Sequence, residues 1–371
     1  MIHQKIDIQQ LPAENETAPL LLQQNQTTPV AKTKQEVAGL ILITISALGM
    51  STAGLFAKIG AASFPSTEIV FVRAIVQASS ALAGCFLLGI HPLGPSEVRK
   101  WVLFRGLIGA IALALHYYSI TKLPLADATV IINLHPMFTA ILAAILLGEP
   151  FGWFDRVCAV FCMAGAVFVT KPSFIFSNNI NNFTPDEYAD TIIYKNKDSL
   201  SSLLFVAGDG DDNSSSRATA ILSSITAAVL SAVAYITVRK IGKRAHFLNH
   251  TFSFGFIAVI VSSVNFGDFA APTELKEYTA LILTGVCAFV GQCLVNQGLQ
   301  MAPAGPGTLM CMNEIVFAYL FGLFIFQEYP DWMSVVGAVI IMSATAALGW
   351  RKSTAAEQHD QQTRMEDQAE Q

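Results

Sequence analysis

Two side chains of opposite chemical character, His135 and Glu314, stand deep inside apolar runs of this chain, NLHPMFTAILAAILLGEP and MNEIVFAYLFGLFIFQEYP. An imidazole or a carboxylate is costly away from water. At such positions these groups face a polar interior, where they bind or relay something. His135 lies nine residues after Ala126. That is about 14 Å along a helix, close to the middle of a bilayer. Pro136 beside it removes a backbone hydrogen bond and loosens the helix, as a binding or hinge point requires. Such a pair can link protonation to ligand occupancy, since burial favours the neutral forms and mutual proximity favours the charged ones. The rival reading is that His135 merely hydrogen-bonds a neighbouring helix.

A second polar layer lies nearby. The offset that relates His135 to Glu314 is 179 (314 − 135), and it sets His116 and Tyr117 opposite Val295 and Asn296. Gln292 and Asn296 are four apart and share one helical face. Asn313, beside Glu314, contacts a ligand or satisfies a broken turn, and Tyr235 shares a face with Ser231. The candidate ligand-binding set is therefore His135, Glu314, His116, Tyr117, Asn296, Gln292, Asn313 and Tyr235. Glu68 and Arg73 stand about 140° apart around a helix and make no ideal pair. Arg73 is expected to snorkel to the outer interface or cap carbonyls. Arg105 reads as an interfacial anchor, and Glu149 and Glu328 as turn markers at wetted helix ends.

The elements that hold these groups follow from composition. Of 371 residues, 53% are hydrophobic and only 13% charged, against roughly 25% charged in soluble domains. This is an all-α integral membrane protein. Apolar runs long enough to span occur at Val37–Ala57, Thr67–Ile90, Trp101–Thr121, Ala126–Gly148 and Phe154–Thr170. Five more occur at Ala218–Val238, Phe247–Phe266, Tyr278–Leu299, Gly307–Phe326 and Trp332–Gly349. Residues 1–36 and 351–371 read as disordered cytosolic ends, and 173–217 as a polar extracellular or lumenal loop.

The 179-residue offset also pairs Pro124 with Pro303, Thr129 with Thr308, Phe138 with Phe317, Glu149 with Glu328 and Trp153 with Trp332. Lys58-Ile59-Gly60 recurs as Lys240-Ile241-Gly242. Segments 37–172 and 218–350 are thus two copies of a five-span unit. An odd number of spans inverts the second copy, the architecture many secondary transporters use for alternating access. With the termini in the cytosol, the short inner flanks hold eleven Lys and Arg against three outside, as positive-inside bias requires. Sequons at Asn182 and Asn213 suit a lumenal loop, although Asn15, Asn25 and Asn249 also head sequons on the other side.

The segment FRGLIGAIALALHYYSITKLPLADATVIINLHPMFTAILAAILLGEPFGWFDR, with FVRAIVQAS before it, resembles the EamA repeat of the drug/metabolite transporter superfamily. The matching pattern is an Arg-Gly opening the third span, then "LPLADAT", "P-x-F-T" and "GEP". In character it resembles in particular the solute-carrier 35 G-type and related eukaryotic EamA proteins. In the second copy "P-x-F" becomes Ile315-Val316-Phe317 and "GEP" becomes Gln327-Glu328-Tyr329-Pro330. The resemblance implies a ten-helix carrier with a central cavity built mainly from the first, third and fourth spans of each half.

The function expected is secondary active transport of a small organic metabolite, proton-coupled or by exchange. The alternatives are a nucleotide-sugar-type antiporter of the same superfamily and a membrane protein that transports nothing. No Walker A loop, selectivity-filter-like segment or basic patch for nucleic acid stands in the chain. The seven His are scattered, which argues against a membrane enzyme. Neither a cofactor nor a metal is called for. Cys158 and Cys162 share a face without His or carboxylate beside them, and all six cysteines lie in apolar runs as small hydrophobes. Partners expected are the lipid bilayer and the solute, with protons and a homodimer left open. The acidic dileucine pattern Glu16–Leu21 points to an endosomal or vacuolar membrane, with the plasma membrane as the alternative.

Overall fold

The computed structural model describes residues 29–61, 63–64, 66–123, 125–149, 151–172, 175, 213–263, 274–327 and 331–369. The dileucine pattern, the sequons at Asn15, Asn25 and Asn182, Glu328, and most of the 173–217 loop lie outside these residues. The described chain is helical throughout: α1 (Pro29–Gly60), α2 (Ser66–Leu87), α3 (Arg99–Lys122), α4 (Leu125–Ile132), α5 (His135–Leu147) and α6 (Trp153–Thr170) form the first copy. The second is α7 (Asn213–Ile241), α8 (Phe247–Ser262), α9 (Leu275–Met301), α10 (Ala304–Met310), α11 (Asn313–Ile325) and α12 (Trp332–Ala369).

Nine spans meet the length and hydropathy of a membrane crossing among the described residues, with α4–α5 and α10–α11 each counting as one. The tenth expected span, Phe247–Phe266, is represented by α8. Its 16 residues reach about 24 Å, short of the roughly 30 Å of a hydrocarbon core. Two helices overrun their expected ends. Residues 351–369, expected as a disordered tail, continue α12, because Ala, Glu, Gln and Arg favour helix and no Gly or Pro interrupts them. At the other end α1 begins at Pro29, well before Val37.

The inverted repeat is visible in which helices touch. The helix α1 packs on α9 as α7 packs on α3, and α2 on α9 as α8 on α3, while α2 meets α8 and α6 meets α12 across the pseudo-twofold axis. Glycine sets the distances. An added Cβ on Gly39 would lie 2.8 Å from the Gly298 carbonyl oxygen, and one on Gly165 would lie 2.7 Å from that of Gly337. Lipid tails are as apolar as leucine, so helices in a bilayer associate through such close backbone contact rather than hydrophobic burial. The α6–α12 pair is also held at one end by Lys171 with Asp331 and at the other by Arg351 over the Phe154 ring, 4.6 Å away. The outward face carries the large apolar side chains: Leu87 is 86% exposed and Ile145 72%. All four tryptophans sit at span ends, as interfacial anchors do.

The fourth span of each copy is broken within one residue of the same place. Adding 179 to Leu125 gives Ala304, so α4 and α10 start in register, and the breaks fall at Asn133-Leu134 and Cys311-Met312. At both, the backbone tightens to i→i+3 bonds: Leu134 N to Ile131 O at 3.1 Å, Met312 N to Leu309 O at 3.1 Å. Beside each break an asparagine amide donates to a backbone carbonyl, Asn133 to that of Thr129 at 2.8 Å, which also keeps the Asn133 N–H, and Asn313 to that of Met310 at 3.0 Å, which the change releases. Pro136 stands at the first break but has no counterpart in the second, where Ile315 takes its position. Proline is therefore not what both breaks share.

Substitution of Gly165 by Val tests the backbone contact. The branched side chain must displace the α12 backbone, an overpacking cost of about 1–3 kcal/mol. The purified variant should melt several degrees lower in detergent, while Gly54→Val, whose added Cβ meets nothing within 4 Å, should melt close to wild type.

Candidate functional site

The two breaks bring polar side chains from both copies together. Tyr235 on α7 is the hub. Its ring centroid lies 5.5 Å from that of His135, tilted by 46°, and its phenol is within electrostatic reach of Glu314, Cys311, Arg105 and Arg73. The His135 Nδ1 lies 3.1 Å from the Ile132 carbonyl oxygen. A carbonyl only accepts, so that bond places the proton on Nδ1 and leaves Nε2 of the neutral ring as a lone-pair acceptor. His135 Nε2 is enclosed and finds no hydrogen-bond partner among the described residues, nor does Nδ1 of His116. His116 is close enough to His135 to act on it electrostatically, and its ring meets Tyr117 edge-on at 6.1 Å.

Glu314 opens α11 and is half-buried. The charge that reaches it is Arg73, on α2 of the other copy. Arg73 also acts on Tyr117 and Tyr235, and its guanidinium lies 4.0 Å from the Met50 sulfur. The expectation that Arg73 snorkels to the outer interface is therefore corrected. It stands seven residues into α2, about 10 Å deep, and points at the polar cluster. The depth argument that singled out His135 applies equally to Arg73.

His135 and Glu314, expected to be coupled, form no ion pair with each other among the described residues. Tyr235 is the residue that neighbours both. Asn296 and Gln292 belong to a different network, centred on Arg105. That side chain is only 3% exposed rather than an interfacial anchor. Its guanidinium donates to the His250 carbonyl at 3.2 Å and to Asn296 Oδ1 at 3.1 Å, and it lies over the Phe254 ring. Asn296 in turn donates to Thr251 at 3.0 Å, and Gln292 to Asn296 at 3.4 Å. Asn296 is wholly buried, so this network ties α3, α8 and α9 together inside the protein. Asn313 is likewise consumed: besides capping Met310 it accepts from Thr345 at 3.1 Å. Tyr117 borders a small apolar pocket between α2, α3 and α8, walled by Val70, Leu113, Ala114 and Val261.

At the end of the bundle where α5, α7, α9 and α10 meet, Glu149 does more than mark a turn. Gly148 ends α5 in the left-handed region, with φ 65°, and turns the chain so that Glu149 reaches across to the other copy. One carboxylate oxygen accepts from Arg239 Nε at 2.6 Å and the other from the Ala304 backbone N–H at 2.8 Å. Arg239 also donates to the Gln300 carbonyl, and Gln300 to that of Ala245. Both charged side chains are mostly covered, 17% and 20% exposed. On the same side Asn249, the head of a sequon, is fully buried and holds the carbonyls of His91 and Pro92.

Comparison with known proteins agrees with this architecture. Solute carrier family 35 member G1 of Homo sapiens is 27% identical over 334 residues, covering 88% of this chain and 84% of that protein. The pseudopaline exporter CntI of Pseudomonas aeruginosa is 25% identical over 321 residues, covering 85% and 97%. A crystal structure sharing 15% of the sequence superposes with a TM-score of 0.61 over 83% of this chain and 95% of its own, which speaks to the fold. The model of the EamA-like transporter family matches residues 37–171 and again 218–350, the two copies read from the sequence repeat. With both halves matched, this chain is a membrane transporter of the EamA-like family.

Proposed function

We propose that the chain is a secondary carrier of a small organic solute that works by alternating access around the His135–Tyr235–Glu314–Arg73 cluster. The observation that carries this reading is the convergence of charged and titratable side chains from both inverted copies on two paired helix breaks. An intramembrane ionisable group marks a solute or proton path by default, and a site between inverted repeats is reached from either side as the copies rock. Arg105, Asn296 and Gln292 keep α3, α8 and α9 in place and are removed from the proposed solute contacts.

Glu149 with Arg239 is the cytosolic latch in this reading. The Lys and Arg bias puts both termini, and hence this end of the bundle, in the cytosol. Opening there must break the ion pair and the bond to Ala304 together. Protons are the proposed coupling ion, since His135 and Glu314, which can each take up and release a proton, stand inside the membrane at the two breaks.

Three outcomes follow. Cysteines placed at the cytosolic ends of α5 and α10 should react faster with a membrane-impermeant thiol reagent from the inner side in Glu149→Gln than in an otherwise identical protein. Equal rates would remove the latch. In proteoliposomes, the initial uptake of the solute should depend on pH in wild type, and Glu314→Gln should flatten that profile with insertion unchanged. Combining it with His135→Ala should impair uptake less than the two losses multiplied, because both residues act on the same neighbour, Tyr235. Multiplicative losses with an unshifted profile would assign both residues to packing. Finally, an epitope at residue 196 should resist protease added to the cytosolic side of sealed vesicles, and its digestion there would invert the topology.

A further inference from the structure

The lysines and arginines of the inner flanks are not spread evenly. Five of the eleven, Arg99, Lys100, Lys240, Lys243 and Arg244, gather where α3 begins and α7 ends. Val98 and Val102 pack there against Ile241 and Ala245, which holds the two stretches side by side. Lys240 Nζ lies over the Trp101 ring, 4.5 Å from its centroid. Four of the five are exposed, and Arg99 is half-buried. Among the described residues none of them makes an ion pair. Their bonds go to neutral acceptors: Arg244 to the Lys240 and Ile241 carbonyls, Lys243 to Gln35 Oε1, and Arg99 to the Gly94 carbonyl at 3.4 Å. Arg99 Nε is enclosed and has no hydrogen-bond partner among those residues.

The loop that leads into α3 is fixed by the other copy. Asn249 donates to the His91 and Pro92 carbonyls at 2.7 and 3.0 Å, and Gly94 turns beside it with φ 73°. No side chain caps the start of α3 and no acidic residue stands in its first turn, so the positive end of that helix adds to the local field. Glu97 is the one acidic residue between positions 88 and 102, and it is exposed. Glu36, next to Gln35, makes no ion pair with Lys243. Positive-inside bias asks only that cations lie on the inner side. It does not ask them to converge on one junction between the copies, where they repel one another unless an anion joins them.

We propose that this junction of α3 and α7 binds a phospholipid of the cytosolic leaflet whose headgroup carries phosphomonoesters, as a phosphorylated inositol lipid does. The leaflet rests on the orientation proposed above, and the site is separate from the solute cluster. Trp101 sets the level, since an exposed tryptophan at a span end lies among the headgroups. A phosphomonoester brings about −1.5 to −2 charge and three acceptor oxygens, enough to engage several cations at once. A headgroup with a single negative charge would leave most of the five unmatched. Basic pockets between spans on the cytosolic side are suited to such lipids. The seated headgroup bridges α3 of one copy and α7 of the other, at the end of the bundle where Glu149 meets Arg239.

The test titrates the full-length protein in phosphatidylcholine nanodiscs with dioctanoyl phosphatidylinositol bisphosphate while its melting midpoint is followed. The lipid should raise the midpoint, and dioctanoyl phosphatidylserine at matched total charge should bind at least about tenfold more weakly. Lys100→Gln combined with Lys243→Gln should weaken the bisphosphate lipid about thirtyfold, the product of about fivefold for each cation near an anionic surface. Arg156→Gln with Lys352→Gln, which removes the same charge elsewhere on the inner side, should leave binding unchanged. Glu97→Gln, which removes the acid from the loop, should tighten it. No rise in the midpoint, an equal response to phosphatidylserine, or an equal loss in the two double variants would overturn the site. Soluble inositol trisphosphate binding as tightly as the lipid would make the ligand a free phosphate and overturn the lipid assignment. Nanodiscs expose both faces, so binding does not depend on orientation. Digestion of the residue-196 epitope from the cytosolic side would overturn the leaflet and leave the site standing.

Discussion

Close backbone contact between the two copies is the constraint on which the rest of this structure depends. In a bilayer no hydrophobic gain rewards helix association, so α1 and α9 hold together because Gly39 and Gly298 let their backbones approach where any side chain would collide. The α6–α12 crossing uses Gly165 and Gly337 in the same way. These contacts set the interior spacing that the polar groups must fit. They also decide which faces remain for lipid, and those faces carry the exposed leucines, isoleucines and phenylalanines.

Once the spacing is set, backbone bookkeeping shapes the interior. A helix that breaks inside a membrane must re-satisfy the groups it frees. Both fourth spans tighten to i→i+3 turns, and in the second Asn313 takes up the freed Met310 carbonyl. The breaks are therefore gentle, and each presents a titratable residue, His135 or Glu314, at the start of its second half. Comparing the copies separates cause from accompaniment. The second break forms without proline, so the shared ingredients are the tightened backbone and an adjacent asparagine amide on a backbone carbonyl.

Charge placement divides into two kinds. Arg105 and Arg239 are engaged by carbonyls, an amide or a carboxylate, and so lock helices together. Among the described residues Glu314 has no such bond, and Arg73 meets only the Met50 sulfur at 4.0 Å. The difference is one of satisfaction rather than depth, since all four belong to membrane-spanning helices or their ends. A polar group whose bonds are complete adds rigidity, whereas one left incomplete is available to a solute.

By itself the sequence determined the membrane class, the two copies and the register between them, because hydropathy and a 179-residue offset of Pro, Glu and Trp survive in one dimension. It also singled out His135 by its depth along a helix, Glu314 and His116 through the repeat offset, and Tyr235 by the face it shares with Ser231. Which polar groups meet was decided only by tertiary structure. Arg73 joined the cluster, and Asn296, Gln292 and Asn313 were drawn into internal bonds, because partners supplied by other helices complete or spare a side chain. The roles of Glu149 and Arg105 were hidden for the same reason: Arg239 lies 90 residues from Glu149 and Asn296 lies 191 from Arg105. No local pattern encodes such pairs. They exist because close-packed backbones bring the two copies within a hydrogen bond of each other.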